Sequence, residues 1–310
     1  MKKTSAVAAA ALLLSGAAAA LFAQDEAVTV IEPAPWTTFR SDSIVVSVQA
    51  DTLRLPQKAV AFKVNRNSNG RTSTLFSKNV RMEDVSAKVF LGRLGALPLG
   101  GADFLTVEWS VPGTELKGVI EPLGAVRLPD AVTARPPLSA ARLKEDATEA
   151  QVADFLRGVG AAEAGGVKFA AGWNNDALYI LINAADGVTE AQVAIDGKCG
   201  KSAFLSWADR FAVFSAASDS VYGRHYRRSL DKNVMKFEEM PWGGASTLSV
   251  AKAETSRLIK IRWYEVGIQP FEERNVGFSV FSAGKSKKAA YPGLADREIP
   301  GTWGDLKLEK

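Results

Sequence analysis

Strand after strand in this chain repeats with a period of two. Val60, Phe62 and Val64 alternate with Ala61 and Lys63, and Leu178, Ile180 and Ile182 alternate with Tyr179 and Leu181. Phe169, Ala171 and Trp173 show the same spacing. Successive side chains of a β-strand point to opposite faces, so this pattern turns one apolar face toward a core. A helix needs apolar residues three and four apart, and one stretch offers that persuasively, "ATEAQVADFLRGVG". There Thr148 and Gln151 have capping-box spacing, while Val152, Phe155 and Leu156 share a helical face. Gly158 and Gly160 end it. An all-β fold with one short helix is expected.

Residues 27–126 read as short strands: "SIVVSVQA", "KAVAFKVN", "STLFSKNV", "AKVFLGRL", "DFLTVEWSV" and "LKGVIEPL". "NRNSNGR" and "PLGGAD" read as turns. This rhythm predicts a β-sandwich. "RLPDAVTARPPLSA" follows, with three prolines and no apolar period, and reads as a semi-rigid linker. Beyond the helix the chain is again β, at "AQVAID", "DRFAVFSA", "STLSVAKA", "RLIKIRWYEV", "NVGFSVFSA" and "GDLKLEK". The expected layout is a signal peptide over 1–23, a sandwich over 24–126, a linker over 127–143 and a second sandwich over 144–310.

The leader reading rests on "MKK", the apolar run to Ala23 and the small residues at its end, and an uncleaved anchor is the alternative because the run is near bilayer-spanning length. The expected destination is the periplasm, the cell surface or the medium, with no membrane span after cleavage. The formal net charge of +4 falls to +2 without Lys2 and Lys3, so no nucleic-acid partner is indicated. Cys199 is the one cysteine, so stability must come from core packing rather than an intrachain disulfide. Its "DGKCGKS" setting reads as an ordinary loop.

Five pieces of the second half occur in an order that resembles the family 9 carbohydrate-binding modules and the wider DOMON-like sandwiches. They are "GWNNDALYILINAAD", "AQVAIDG", "IRWYEVGIQP", "RNVGFSVFSAG" and "PGTWGDLKLEK". The resemblance covers residues 140–310 or so. The Thr148 helix stands where these modules often open on Asp-Gly and Trp. "GKCGKSAFLSWADRF" stands where they carry an acidic cluster. The residues call for no cofactor, and the resemblance allows a structural calcium ion. The first half resembles the immunoglobulin-like modules of secreted bacterial proteins on pattern alone.

The resemblance implies sugar binding on an aromatic ring. A pyranose packs its axial C–H groups on a π face while polar side chains bond its hydroxyls. Trp173 and Trp263 share strand parity with apolar neighbours and are expected in the core. Trp207 in "SWADR", Trp242 in "MPWGG" and Trp303 are expected at the surface. Trp303 is the first choice, because its parity opposes the core-facing Leu306 and Leu308. Asp209, Arg210 and Tyr226 are the expected polar partners, with Arg224, His225 and Asn174 as further candidates. "YGRHYRRSLDK" reads as a charged hairpin loop that could meet an acidic polysaccharide.

Catalysis is not expected. His225 is the one histidine, and no Gly-x-Ser-x-Gly elbow is present. Haem ligation by His225 and Met235 would need them on opposite sides of one pocket, and ten residues of one polar segment do not suggest that. The sequence thus points to a secreted, non-catalytic protein binding a cell-wall or plant-type polysaccharide or oligosaccharide. The alternative is an envelope structural protein whose second sandwich binds another protein.

Overall fold

All six alternating runs of the first half lie in strands of the computed structural model, which describes residues 27–94, 103–126, 137–198, 200–244, 248–253, 255–284 and 288–310. The strands are β1 (Val28–Glu32), β2 (Thr38–Phe39), β3 (Ser43–Ala50), β4 (Ala59–Ser68), β5 (Arg71–Arg81), β6 (Ser86–Arg93), β7 (Phe104–Ser110) and β8 (Lys117–Ala125). They form a three-stranded sheet, β1-β3-β6, and a five-stranded sheet, β2-β8-β7-β4-β5. β2 runs parallel to β8, and the other pairs are antiparallel. Val46, Val48 and Leu91 from the small sheet meet Phe62, Val64 and Val107 from the large one in a single core. Burying each such side chain contributes roughly 1.5–3 kcal/mol.

"NRNSNGR", expected as a turn, is mostly strand. Only Asn69 and Gly70 form the bend, with φ of 49° and 76°. Two consecutive left-handed residues make the tight hairpin that Asn-Gly favours. β4 and β5 therefore stay paired out to Ser68 and Arg71.

The second half comprises β9 (Leu138–Arg142), helix α1 (Glu149–Arg157), β10 (Ala162–Ala164), β11 (Val167–Trp173), β12 (Ala177–Ala184), β13 (Val188–Asp196), β14 (Asp209–Ser215), β15 (Ser220–Asp231), β16 (Val234–Trp242), β17 (Leu248–Ala253), β18 (Ser256–Arg262), helix α2 (Trp263–Val266), β19 (Asn275–Gly284), β20 (Lys288–Tyr291) and β21 (Gly304–Leu308). All its strands join one sheet, whose main path is β16-β15-β14-β13-β19-β21-β9-β11-β12-β18-β17. β10 adds to β11 and β20 to β19. So many twisted strands do not stay flat. The sheet curls until Phe169, Trp173, Ile180 and Ile259 of one wing pack against Val193, Phe278 and Leu306 of the other.

Four expectations are corrected. β9 takes residues 138–142 out of the expected linker, because it pairs with β11 on one side and β21 on the other. The helix has the predicted capping box at Thr148 and Gln151, but Phe155 is 49% exposed and Ala153 takes its place in the buried stripe. "WYEV" leaves the strand and becomes the single turn α2, closed by Gly267 at φ 68°. The charged "YGRHYRR" segment is strand, within the long β15–β16 hairpin. The remaining expected linker, 127–136, lies outside the described residues.

The "GWNNDALYILIN" motif is scaffold. Trp173 and Trp263 are buried, as their parity predicts. Their indole N–H groups donate to Glu309 O (2.9 Å) and Asn174 O (2.8 Å). The Asn174 side chain accepts from the backbone N–H groups of Asp176 and Ala177, so it shapes the turn rather than a ligand site.

The two halves share packed side chains. Phe104 of the first half clusters with Phe204 and Met235 of the second, flanked by Trp36 and Leu230. The Trp36 and Phe204 rings meet edge to face at 5.6 Å, and Arg228 lies 4.1 Å from the Trp36 ring centre. Gly124 permits this approach, since a Cβ there would sit 2.7 Å from Ala203 Cβ. Among the described residues, no helix is long and apolar enough to cross a membrane.

Candidate functional site

The loop between β13 and β14 gathers most of the residues that the sequence singles out. It starts and ends on carboxylates, since Asp196 and Asp209 are cross-strand partners. Asp196 accepts backbone N–H bonds from Lys198 (3.1 Å) and Lys201 (3.0 Å). Asp209 accepts from Ser206 N–H (2.7 Å) and Ser206 Oγ–H (2.9 Å) through one oxygen, Oδ2. Ser206 Oγ in turn accepts from Ala208 N–H at 3.2 Å. These bonds close a four-residue turn whose tip is Trp207. The pinned base explains why Trp207 alone among the candidate tryptophans projects, at 62% exposure.

Arg210 follows on β14. Its guanidinium lies 5.8 Å from the Trp207 ring centre and 5.8 Å from that of Trp242. Lys198 Nζ is 5.3 Å from the Trp207 ring. Cations at these distances are attracted by the ring quadrupole. Arg210 Nη1 lies 3.2 Å from Nδ1 of His225, its neighbour across the ladder. The same Nδ1 lies 3.4 Å from the Trp207 carbonyl oxygen, so it faces both a donor and an acceptor. Burial, with the Arg210 charge beside it, pushes the His225 pKa below its ordinary value. The positive charge of the patch therefore comes from Arg210 and Lys198.

The other expected site residues do not join this surface. Trp242 is buried over Gly223 and donates its indole N–H to Phe211 O at 3.2 Å, so it backs Arg210 instead of offering a second wall. Trp303 is 0% exposed. Its parity does oppose Leu306 and Leu308, but that face is not open. Phe211 and Phe281 pack on its ring at 5.4 and 6.4 Å, and its N–H donates to Asp296 O at 2.8 Å. It cannot serve as a surface platform. Tyr226 belongs to the same small core, on the opposite face of the sheet from Arg210. Arg224, also on that face, is buried beside Glu239.

Asp209 is buried, and its pKa is raised from 3.8 to about 7. Burial is the main cause and the Asp196 charge adds to it, while the Ser206 bonds and Arg228 pull the other way. Its role is to hold the turn. Among the described residues, no three His, Cys, Asp or Glu side chains gather as a metal site. Sequence reasoning did not single out Lys198. The available signal was its place in a Gly- and Lys-rich loop a few residues before an unpaired tryptophan.

No protein-family model matches this chain, and a search of curated proteins returns no match.

Proposed function

We propose that this chain is an exported, non-catalytic glycan-binding protein of two β-sandwich modules. The first is an immunoglobulin-like module, a reading supported by its three-plus-five strand arrangement around one core. The second is a sandwich of the family 9 carbohydrate-binding or DOMON-like kind, supported by one curled sheet whose two wings pack on a shared core. The periplasm, the cell surface or the medium is its place, and a polysaccharide or oligosaccharide is its partner.

The observation that carries this reading is Trp207, exposed at the tip of a pinned turn with Lys198 and Arg210 against its ring. A rigid aromatic face binds the apolar face of a sugar, and flanking cations favour a carboxylated one. An acidic glycan such as a polyuronate fits this chemistry best. The test is titration of the chain with oligogalacturonates and alginate oligomers, followed by Trp207→Ala. Losing the ring should weaken binding about tenfold to a hundredfold, or roughly 1.4–2.8 kcal/mol, with Tm nearly unchanged. Equal binding by variant and parent removes the platform. No binding by the parent favours the envelope-interaction reading, with a protein covering the same patch.

A further inference from the structure

The outer face of the five-stranded sheet is polar, as expected when the other face lies on a core. What is unexpected is that its central polar side chains are buried. Asn65, Asn67 and Thr106 are 0%, 2% and 5% exposed. A ladder of side-chain bonds holds them. Asn65 Nδ2 donates to Glu108 Oε1 at 2.5 Å, and Thr74 Oγ1 donates to Asn65 Oδ1 at 3.0 Å. Thr72 Oγ1 donates to Asn67 Oδ1 at 2.7 Å, and Asn67 Nδ2 reaches Thr106 Oγ1 at 3.4 Å.

The second half makes this face concave. Phe104, on the same face of β7, is covered by Phe204 and Met235, so the β15–β16 hairpin closes one end. Asn233 at the hairpin tip lines the space that remains, a cavity of about 680 Å³. Asn67, Thr72, Ser77, Asn79 and Thr106 border it with amides and hydroxyls. Its charged lining balances, two lysines (Lys63 and Lys117) against two glutamates (Glu108 and Glu121). Lys63 and Glu108 already face each other at 3.6 Å. Ala61, Phe62, Trp109 and Val119 give it a substantial apolar wall, on which the C–H face of a sugar ring can pack.

We propose that this cavity at the junction of the halves is a second binding site, and that its occupant is a segment of a neutral oligosaccharide. The volume lies within the range of roughly 300–1,000 Å³ usual for ligand clefts. A side-chain amide can make up to about four hydrogen bonds, and the ladder uses two from Asn67, which borders the cavity. Hydroxyl groups match such a wall because each both donates and accepts. The balanced lining offers no net attraction to an anion or a cation, which separates this site from the cationic Trp207 patch. The ladder is bonded before any ligand arrives, so little order has to be imposed on binding.

The test is calorimetric titration of the full chain with linear hexasaccharides of β-1,4-linked glucose, xylose and mannose. At least one should bind the parent. Ser77→Trp, at an exposed position on the cavity wall, should weaken that binding by about tenfold or more while Tm holds. Thr72→Val, which removes one ladder hydroxyl, should weaken it several-fold. Trp207→Ala should leave it within about twofold. The proposal is overturned if none of the three sugars binds at millimolar concentration, if binding survives both cavity variants, or if Trp207→Ala abolishes it instead. Failure of the acidic-glycan reading shows separately, in the polyuronate titration.

Discussion

Replacing Asp209 by Asn should make the protein more stable at pH 8 and leave it nearly unchanged at pH 4. Asp209 is buried, with the Asp196 carboxylate nearby, and its pKa rises from 3.8 to about 7. Well below pH 3.8 both the folded and the unfolded chain hold the proton. Between about pH 4 and 7 the unfolded chain has released it and the folded chain retains it, so stability falls as pH rises. Above about 7 the loss is complete. At 1.36 kcal/mol for each pH unit of difference, the whole effect is at most roughly 4 kcal/mol. Asn avoids this loss, because its carbonyl oxygen can still accept both Ser206 bonds, which share the single oxygen Oδ2. The assay is urea unfolding of parent and Asp209→Asn at half-unit steps from pH 4 to 8. The curves should coincide at low pH and separate by roughly 1–4 kcal/mol above pH 7. Parallel curves, or a variant less stable throughout, would refute the reasoning. The second result would mean that the Ser206 bonds and Arg228 stabilise the ionised form more than burial penalises it.

Trp173→Ala should destabilise the second half by roughly 3–5 kcal/mol, because a buried ring and its bond to Glu309 are lost together. A folded variant that selectively loses ligand would contradict the scaffold role. Phe204→Ala should uncouple the halves, turning one calorimetric transition into two, since Phe204 fills the shared cluster with Phe104 and Trp36. A single unsplit transition in that variant would show that the cluster does not couple them.

Period-two alternation located β3, β4, β11 and β12, but it passed over β1, whose Val28 and Val30 also alternate onto the core. It also put Trp173 and Trp263 in the core. It was blind to the β15–β16 hairpin, because Arg224 and Tyr226 on that strand are buried on the outer face rather than exposed. The same blindness explains Trp303. Parity tells which face a side chain takes, but not whether a loop covers that face, and residues 292–303 contribute to a second small core there. Trp207 was legible only as a member of the loop-like "SWADR", and its Ser206–Asp209 closure is a finding of the structure. The Asn and Thr ladder of the first half was not, because "NRNSNGRTST" has the composition of a loop. What makes it strand is one Asn-Gly bend and pairing with β7, a contact some forty residues away along the chain.

β9 runs parallel to both of its neighbours, β11 and β21, within a sheet whose other pairs are antiparallel. Its partner β21 lies at the far end of the second half, with Leu138 opposite Leu306 and Ala140 opposite Leu308. The last turn of assembly therefore joins the first and final strands of the unit. Until residues 304–308 are made, β9 and the Asn275–Phe278 part of β19 each face an empty edge, and Trp173 lacks the Glu309 carbonyl that its indole bonds. Bringing such distant segments together is slow, because the ordering cost precedes the contacts that offset it. The first half has no such dependence, since all its strands end by Ala125. The strands of the first half are thus all in place by Ala125, while the second half stays open at its seam until residues 304–308 pair.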